Sequence, residues 1–248
     1  MQTFKHSGNT GDILYSLYSI TQKCIYYIHL DQPADYGGRS HPLGNVMMNR
    51  KMFDMIVPLL LHNPYIKEVK EYKGEEIDYD LDKFRTAPID LGRGDIKHWY
   101  YQVYPELTPH IPLNPLRGIN AFNFGSPYIA VNRTFRYRNP DLRYKCLNDY
   151  DIPILFMGLQ DEYDDFKLRV PKAIHTPVTD FLQAAEIIRG ASLFIGNQSM
   201  MFAISELLQV PRILEVYKHA PNVIPSGGQF YEVINETNLK KAIDLINI

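Results

Sequence analysis

The run from Asp180 to Tyr217, DFLQAAEIIRGASLFIGNQSMMFAISELLQVPRILEVY, constrains the fold more than any other part of this chain. Phe181, Leu182, Ala184, Ala185, Ile187 and Ile188 recur at three- and four-residue steps and Gly190 follows them, the pattern of a helix and its stop. Leu193-Phe194-Ile195 is an unbroken apolar run too short for a helix, which reads as a buried strand. Gly196 to Ser199 turns the chain. Met201, Phe202, Ile204, Leu207 and Leu208 then supply one helical face, and Pro211 ends that helix before a strand from Arg212 to Val216. This order is that of a parallel α/β sheet, in which the loop at a strand's carboxyl end feeds a helix N-terminus. Such a terminus presents unpaired N–H groups and the positive end of the helix dipole, which suit a phosphate. The same residues equally describe an ordinary helix capped by Ser199.

The chain opens in the same way. Thr3 to His6 is extended, Ser7-Gly8-Asn9-Thr10-Gly11-Asp12 is a polar glycine loop, and Ile13, Leu14, Leu17 and Ile20 follow with helical spacing. Gly8 and Gly11 permit a tight turn and a close backbone approach, and Asp12 falls in the first helical turn, where the dipole tolerates a negative charge. An ordinary N-cap accounts for these residues as well. Further on, the strand Tyr128 to Val131 runs into Asn132-Arg133-Thr134-Phe135-Arg136-Tyr137-Arg138. Arginines packed so closely after a strand suit either a phosphate, gripped by forked hydrogen bonds, or a solvated turn.

Two of these stretches resemble one family. AAEIIRGASLFIGNQSMMFAISELLQVPRI resembles the donor-binding segment of the heptosyltransferase-like glycosyltransferases, family nine of the GT-B superfamily, which carries an ADLFIGNDSGPMHLAAALGVP-type string. SGNTGDILYSLYSI resembles the same family's opening LGDVLxxLPAI loop. The resemblance implies a GT-B-like α/β fold of two Rossmann-like domains facing a central cleft. It assigns Asp12 as the general base, and Gly8, Asn9, Thr10 and Gly11 of the glycine loop beside it to donor or phosphate binding. Donor and phosphate binding would fall to Arg133, Arg136, Asn197, Gln198, Ser199, Met200 and Met201, with Glu206 either reaching a ribose hydroxyl or simply exposed. The chain departs from the pattern at Gln198, where the family has Asp, and at Met200-Met201, where it has Gly-Pro. It is also shorter than is usual in the family, which leaves the donor's identity and the acceptor side open.

The segments between those loops divide the chain. Residues 1-125 read as an acceptor-side domain, 126-234 as a nucleotide-sugar domain, and 235-248 as a helix packing back across the first domain. The proline-punctuated stretch from Pro105 to Pro127 serves as the linker. Lys23 to Leu30 and Tyr65 to Tyr72 read as strands, and Met52 to Leu60 as an amphipathic helix in which Pro58 is a possible kink point. Asp31 to Asn45 is irregular and polar; Arg39 and His41 within it are candidates for acceptor contact, and a plain surface loop is the alternative. Asp78, Asp80 and Asp82 suggest a metal site, but alternation along a strand places them on one face just as well, and no converging ligands can be identified by spacing. Trp99, Tyr100 and Tyr104 read as an aromatic helix face, either core or a stacking surface.

Composition sets the outer limits. The chain has 248 residues, with 26 basic and 28 acidic side chains, so its net charge of −2 draws it to neither nucleic acid nor anionic membrane. No segment approaches the ~20 apolar residues of a membrane span, and the N-terminus carries no export pattern. Cys24 and Cys146 fit reduced residues of a cytoplasmic protein. The expectation is a cytoplasmic, metal-independent, inverting glycosyltransferase with no cofactor besides a nucleotide-diphosphate sugar donor. Its acceptor would be a glycan or lipopolysaccharide-type hydroxyl, or a hydroxylated nucleic-acid base if Arg39, Arg50 and Lys51 form a basic rim. A nucleotide-sugar epimerase of the same fold and a non-catalytic sugar-nucleotide binder are the rival readings.

Overall fold

In the computed structural model, which describes residues 1–34, 44–91, 94–108 and 114–248, the strands pair in parallel and form two sheets. The chain divides into two compact units, Met1–Gly118 with Asp180–Leu182, and Ile119–Thr179 with Gln183–Ile248. Arg39 and His41 lie outside the described residues.

In the first unit the sheet order is β3-β2-β1-β4, from β1 (Gln2–His6), β2 (Cys24–Ile28), β3 (Ile66–Glu71) and β4 (Tyr79–Asp80). Helices α1 (Thr10–Ser16), α2 (Arg50–Leu60) and α3 (Trp99–Val103) belong to the same unit. Asn49 caps α2 by accepting the Met52 N–H at 2.9 Å, and the helix continues through Pro58, close to its end. The acidic strand is only two residues long and passes into a 3-10 turn, Leu81–Arg85. Its alternating carboxylates match the alternation of β1. Asp78 accepts from the Thr3 N–H and hydroxyl, Asp80 from Lys5 Nζ, and Asp82 from the Ser7 N–H. Trp99 and Tyr100 are core residues around Phe84, the first stacked on its ring and the second edge-on to it.

In the second unit the order is β10-β9-β8-β5-β6-β7, from β5 (Ile129–Asn132), β6 (Ile154–Phe156), β7 (Ile174–His175), β8 (Leu193–Asn197), β9 (Arg212–Glu215) and β10 (Phe230–Val233). The helices are α4 (Gln160–Lys167), α5 (Phe181–Gly190), α6 (Met200–Leu208) and α7 (Glu236–Ile246). Strands β5, β8 and β9 are buried along their whole length, as strands covered on both faces must be. Helix α7 packs inside this unit: Leu239, Ala242 and Ile243 share a core with Ile129, Val131, Ile213 and Val233. Residues 235-248, expected as a helix beside the first domain, thus contribute core residues to the second unit. The Glu236 carboxylate explains the anchorage, since it accepts the N–H groups of Arg143, Tyr144 and Cys146. Among the described residues no helix is long and apolar enough to cross a membrane.

Candidate functional site

The first unit concentrates polar chemistry at the carboxyl end of β1. Asn9 is extended and its carbonyl accepts the Ile13 N–H at 3.1 Å, which starts α1 and puts Asp12 in the first turn. The Asp12 carboxylate receives Nη2 of Arg85 at 2.8 Å, with the two side chains 23% and 28% exposed. Arg85 stands at the end of the 3-10 turn and lays its guanidinium over the Phe84 ring, 4.7 Å from its centroid. Behind this pair runs a buried chain of hydrogen bonds. The Gly8 N–H donates to Nδ1 of His6 at 2.8 Å, which leaves the proton on Nε2 and directs it to the Tyr100 hydroxyl at 3.0 Å. That hydroxyl donates in turn to the Asp12 carbonyl at 2.7 Å. Burial pushes the His6 pKa down, in keeping with a neutral ring. A Cβ at Gly8 would stand 2.5 Å from Cε1 of His6 and 2.6 Å from Nη2 of Arg85, so glycine is required by these side chains. Thr10 is buried and Gly11 half-buried within the first turn of α1. Sequence reasoning singled out Asp12 and read Tyr100 as core or a stacking surface, but did not find the Arg85–Asp12 or Tyr100–Asp12 contacts, which join residues tens of positions apart.

In the second unit the carboxyl ends of β5, β8 and β9 adjoin, and their loops are laced together. Asn197, fully buried, accepts the Thr134 N–H at 3.0 Å and donates through Nδ2 to the carbonyls of Thr134 and Arg136. Ser199 caps α6 by accepting the Phe202 N–H at 3.3 Å, and its hydroxyl donates to Oδ1 of Asn132 at 2.7 Å. Met200 is half-buried and Met201 buried; their N–H groups belong to the first turn, which has no intrahelical acceptors. Gln198 faces the loop after β9: its Oε1 accepts the Tyr217 N–H at 3.2 Å, and its Nε2 donates to the Ala220 carbonyl and to Oδ1 of Asn222, both at 2.8 Å.

The arginines after β5 have different fates. Arg133 is 4% exposed and turned inward, donating from Nε and Nη2 to Glu215 at 2.8 and 2.9 Å and from Nη2 to the carbonyls of Asn139 and Leu142. Its assignment to phosphate is corrected: the guanidinium neutralises a fully buried carboxylate on β9. Arg138 is tied to Asp165 and to the carbonyls of Thr134 and Arg133. Arg136 is half-buried, lies 4.8 Å over the Tyr137 ring and donates to that residue's hydroxyl at 2.9 Å. Its carbonyl is held by Asn197, so this cation stands beside the loop that enters α6. Glu206 is also corrected, being neither exposed nor at the strand ends. It is fully buried, pairs with Arg212 at 2.5 Å and accepts the Ser226 N–H at 2.9 Å, which anchors the loop before β10.

The arrangement offers a carboxylate held by a guanidinium in one unit, and a capped helix terminus with an adjacent arginine in the other. Among the described residues no group of three or more His, Cys, Asp or Glu side chains is placed to hold a metal ion.

No protein-family model matches the chain, and a search of the curated proteins finds no match. Solved structures do match. The chain is similar to a glycosyltransferase family 9 protein from Veillonella parvula, with a TM-score of 0.61 at 12% identity over 98% of this chain and 88% of the other. It is similar to the E. coli heptosyltransferase WaaC solved with ADP, with a TM-score of 0.66 at 10% identity over 99% of this chain and 100% of the other. For E. coli ADP-heptose LPS heptosyltransferase II the TM-score is 0.58 at 12% identity, over 99% and 98%. At these identities the property held in common is the backbone arrangement. Parallel sheets in both units, matched over nearly the whole chain, give this protein the GT-B-like fold of the heptosyltransferase-like glycosyltransferases.

Proposed function

We propose that the chain is an inverting glycosyltransferase that moves a sugar from a nucleotide-diphosphate donor to an acceptor hydroxyl. The observation that carries this reading is the Asp12 carboxylate, fixed at a strand end by Arg85 on a fold whose solved examples include heptosyltransferases. In the reaction the acceptor oxygen attacks the anomeric carbon and its proton passes to Asp12. The bond from that carbon to the diphosphate oxygen breaks with its electrons on the departing diphosphate, and one displacement inverts the centre. The second unit offers first-turn N–H groups of α6 and the Arg136 guanidinium, groups whose electrostatics suit the diphosphate of a donor. On this reading no metal is needed. The acceptor is a glycan hydroxyl of the lipopolysaccharide type, as the name of one structural neighbour suggests.

A thermal-shift screen across ADP-, GDP-, UDP- and CMP-sugars tests the donor. A ligand at a hundred times its Kd adds about 2.7 kcal/mol to stability, a rise of several degrees in melting temperature. Absence of any shift across the panel would sink the nucleotide-sugar reading. With a donor in hand, Asp12→Asn keeps the shift and abolishes transfer; transfer at the wild-type rate removes Asp12 from the mechanism.

A further inference from the structure

One group of side chains in the second unit has no part in the mechanism above. Tyr137 has φ of 53°, the left-handed region that a bulky residue occupies only when its surroundings impose it. Its ring lies 5.4 Å from that of Tyr217, which lies 5.3 Å from that of His219. Tyr137 and Tyr217 are half-buried and His219 is exposed. Arg136 also lies over the Tyr137 ring. Tyr137 follows β5 and Tyr217 follows β9, so the group stands at the carboxyl ends of the two parallel strands that flank β8, where ligands of open α/β sheets bind.

Gln198 holds the loop that carries Tyr217 and His219. It fixes Tyr217 by its N–H, and through Nε2 it ties down Ala220 and Asn222 beyond His219. The family string that this region resembles has Asp at that position. A carboxylate is a methylene shorter and has no hydrogen to donate, so it cannot make the last two bonds. The departure from the family pattern is thus the feature that shapes the loop carrying Tyr217 and His219.

We infer that Tyr137, Tyr217 and His219 form a wall for the sugar of the donor, a specificity element whose Tyr217–His219 loop is held by Gln198. The inference rests on the donor reading above. A sugar fits better than a base because the rings are inclined to their neighbours by 57° and 60°. A planar base needs a parallel face, whereas a saturated ring directs C–H groups and hydroxyls in several directions and can meet inclined rings, a phenol and an imidazole together.

Calorimetric titration of ADP against ADP-heptose, and of UDP against UDP-glucose, tests it on the full chain. Tyr217→Ala should weaken the nucleotide sugar about tenfold and the nucleoside diphosphate less than about twofold. Gln198→Asp should follow Tyr217→Ala, and Tyr217→Phe, which keeps the ring, should follow wild type. Exposed His219→Ala, a second variant in the wall, should lower only the nucleotide-sugar affinity. Arg136→Ala should weaken both ligands alike. Equal weakening of sugar and diphosphate forms by Tyr217→Ala would assign the rings to the base and overturn the inference, as would no weakening of either. If no sugar nucleotide of the ADP, GDP, UDP and CMP panel binds wild type, or those that bind are indifferent to Arg136, the donor reading itself fails and the wall with it.

Discussion

Arg133 and Arg136 lie three residues apart after the same strand, yet the structure gives them opposite work, and substituting each by Met separates the two. Arg133 makes four hydrogen bonds at 2.8 to 3.1 Å, two of them to Glu215. Glu215 is itself fully buried and also accepts the Tyr144 hydroxyl at 2.8 Å and the Asn139 N–H at 2.6 Å. Arg133→Met removes the counter-charge paired with that carboxylate and leaves the Asn139 and Leu142 carbonyls without this donor. Breaking a buried pair from one side costs about 3–5 kcal/mol, a large part of the ~5–15 kcal/mol that holds a typical protein folded. Arg136→Met removes a half-buried side chain from the rim, and its cost should fall within about 0.5 kcal/mol. Denaturant unfolding followed by circular dichroism measures both, with nucleotide titration on the same samples. The double variant Arg133→Met with Glu215→Leu should recover part of the loss, because the uncompensated charge is gone while Tyr144 and Asn139 still lack an acceptor. An Arg133→Met protein as stable as wild type but unable to bind nucleotide would refute the assignment and return Arg133 to the ligand.

Three further outcomes follow from the geometry. A Cβ at Gly190 would stand 2.2 Å from the Phe122 carbonyl oxygen and 2.6 Å from the Tyr128 hydroxyl, so Gly190→Ala should cost about 1–3 kcal/mol by thermal melting. Ser199→Ala removes both the α6 cap and the bond to Asn132, and should cost about 1 kcal/mol in the same assay. Burial lowers the pKa of His6 from 6.5, so below that pH the unfolded chain binds the proton more readily than the native one. The stability owed to a neutral His6 is therefore complete above 6.5 and is lost as pH falls; a stability curve flat through this window, or one unchanged in His6→Gln, would contradict a buried neutral ring.

Much of the second unit could be read directly because its signals are local. The strand Leu193 to Asn197, the cap at Ser199, the face of α6 and the break at Pro211 each follow from neighbours within a turn or a few strand residues. The Asp78, Asp80 and Asp82 alternation was visible too, but its complement on β1 was not, because register between strands is absent from either strand alone. Strand β10 escaped notice, since its residues are exposed or only partly covered up to Val233.

What the sequence by itself determined, then, is the order of elements and the place of Asp12 and Ser199 at the first turns of two helices: hydrogen bonding and apolar period act over three or four residues. What tertiary structure alone decided is which charges face water. Arg133 and Arg136 are the same residue in the same loop, and Glu206 has the outward spacing of a surface carboxylate. Each is placed by a partner brought in by folding: Glu215 for Arg133, Arg212 and Ser226 for Glu206, Arg85 for Asp12. A charge is tolerated inside only when an opposite charge and hydrogen-bond donors converge on it. That convergence is a property of packed strand ends, and no window along the chain contains it.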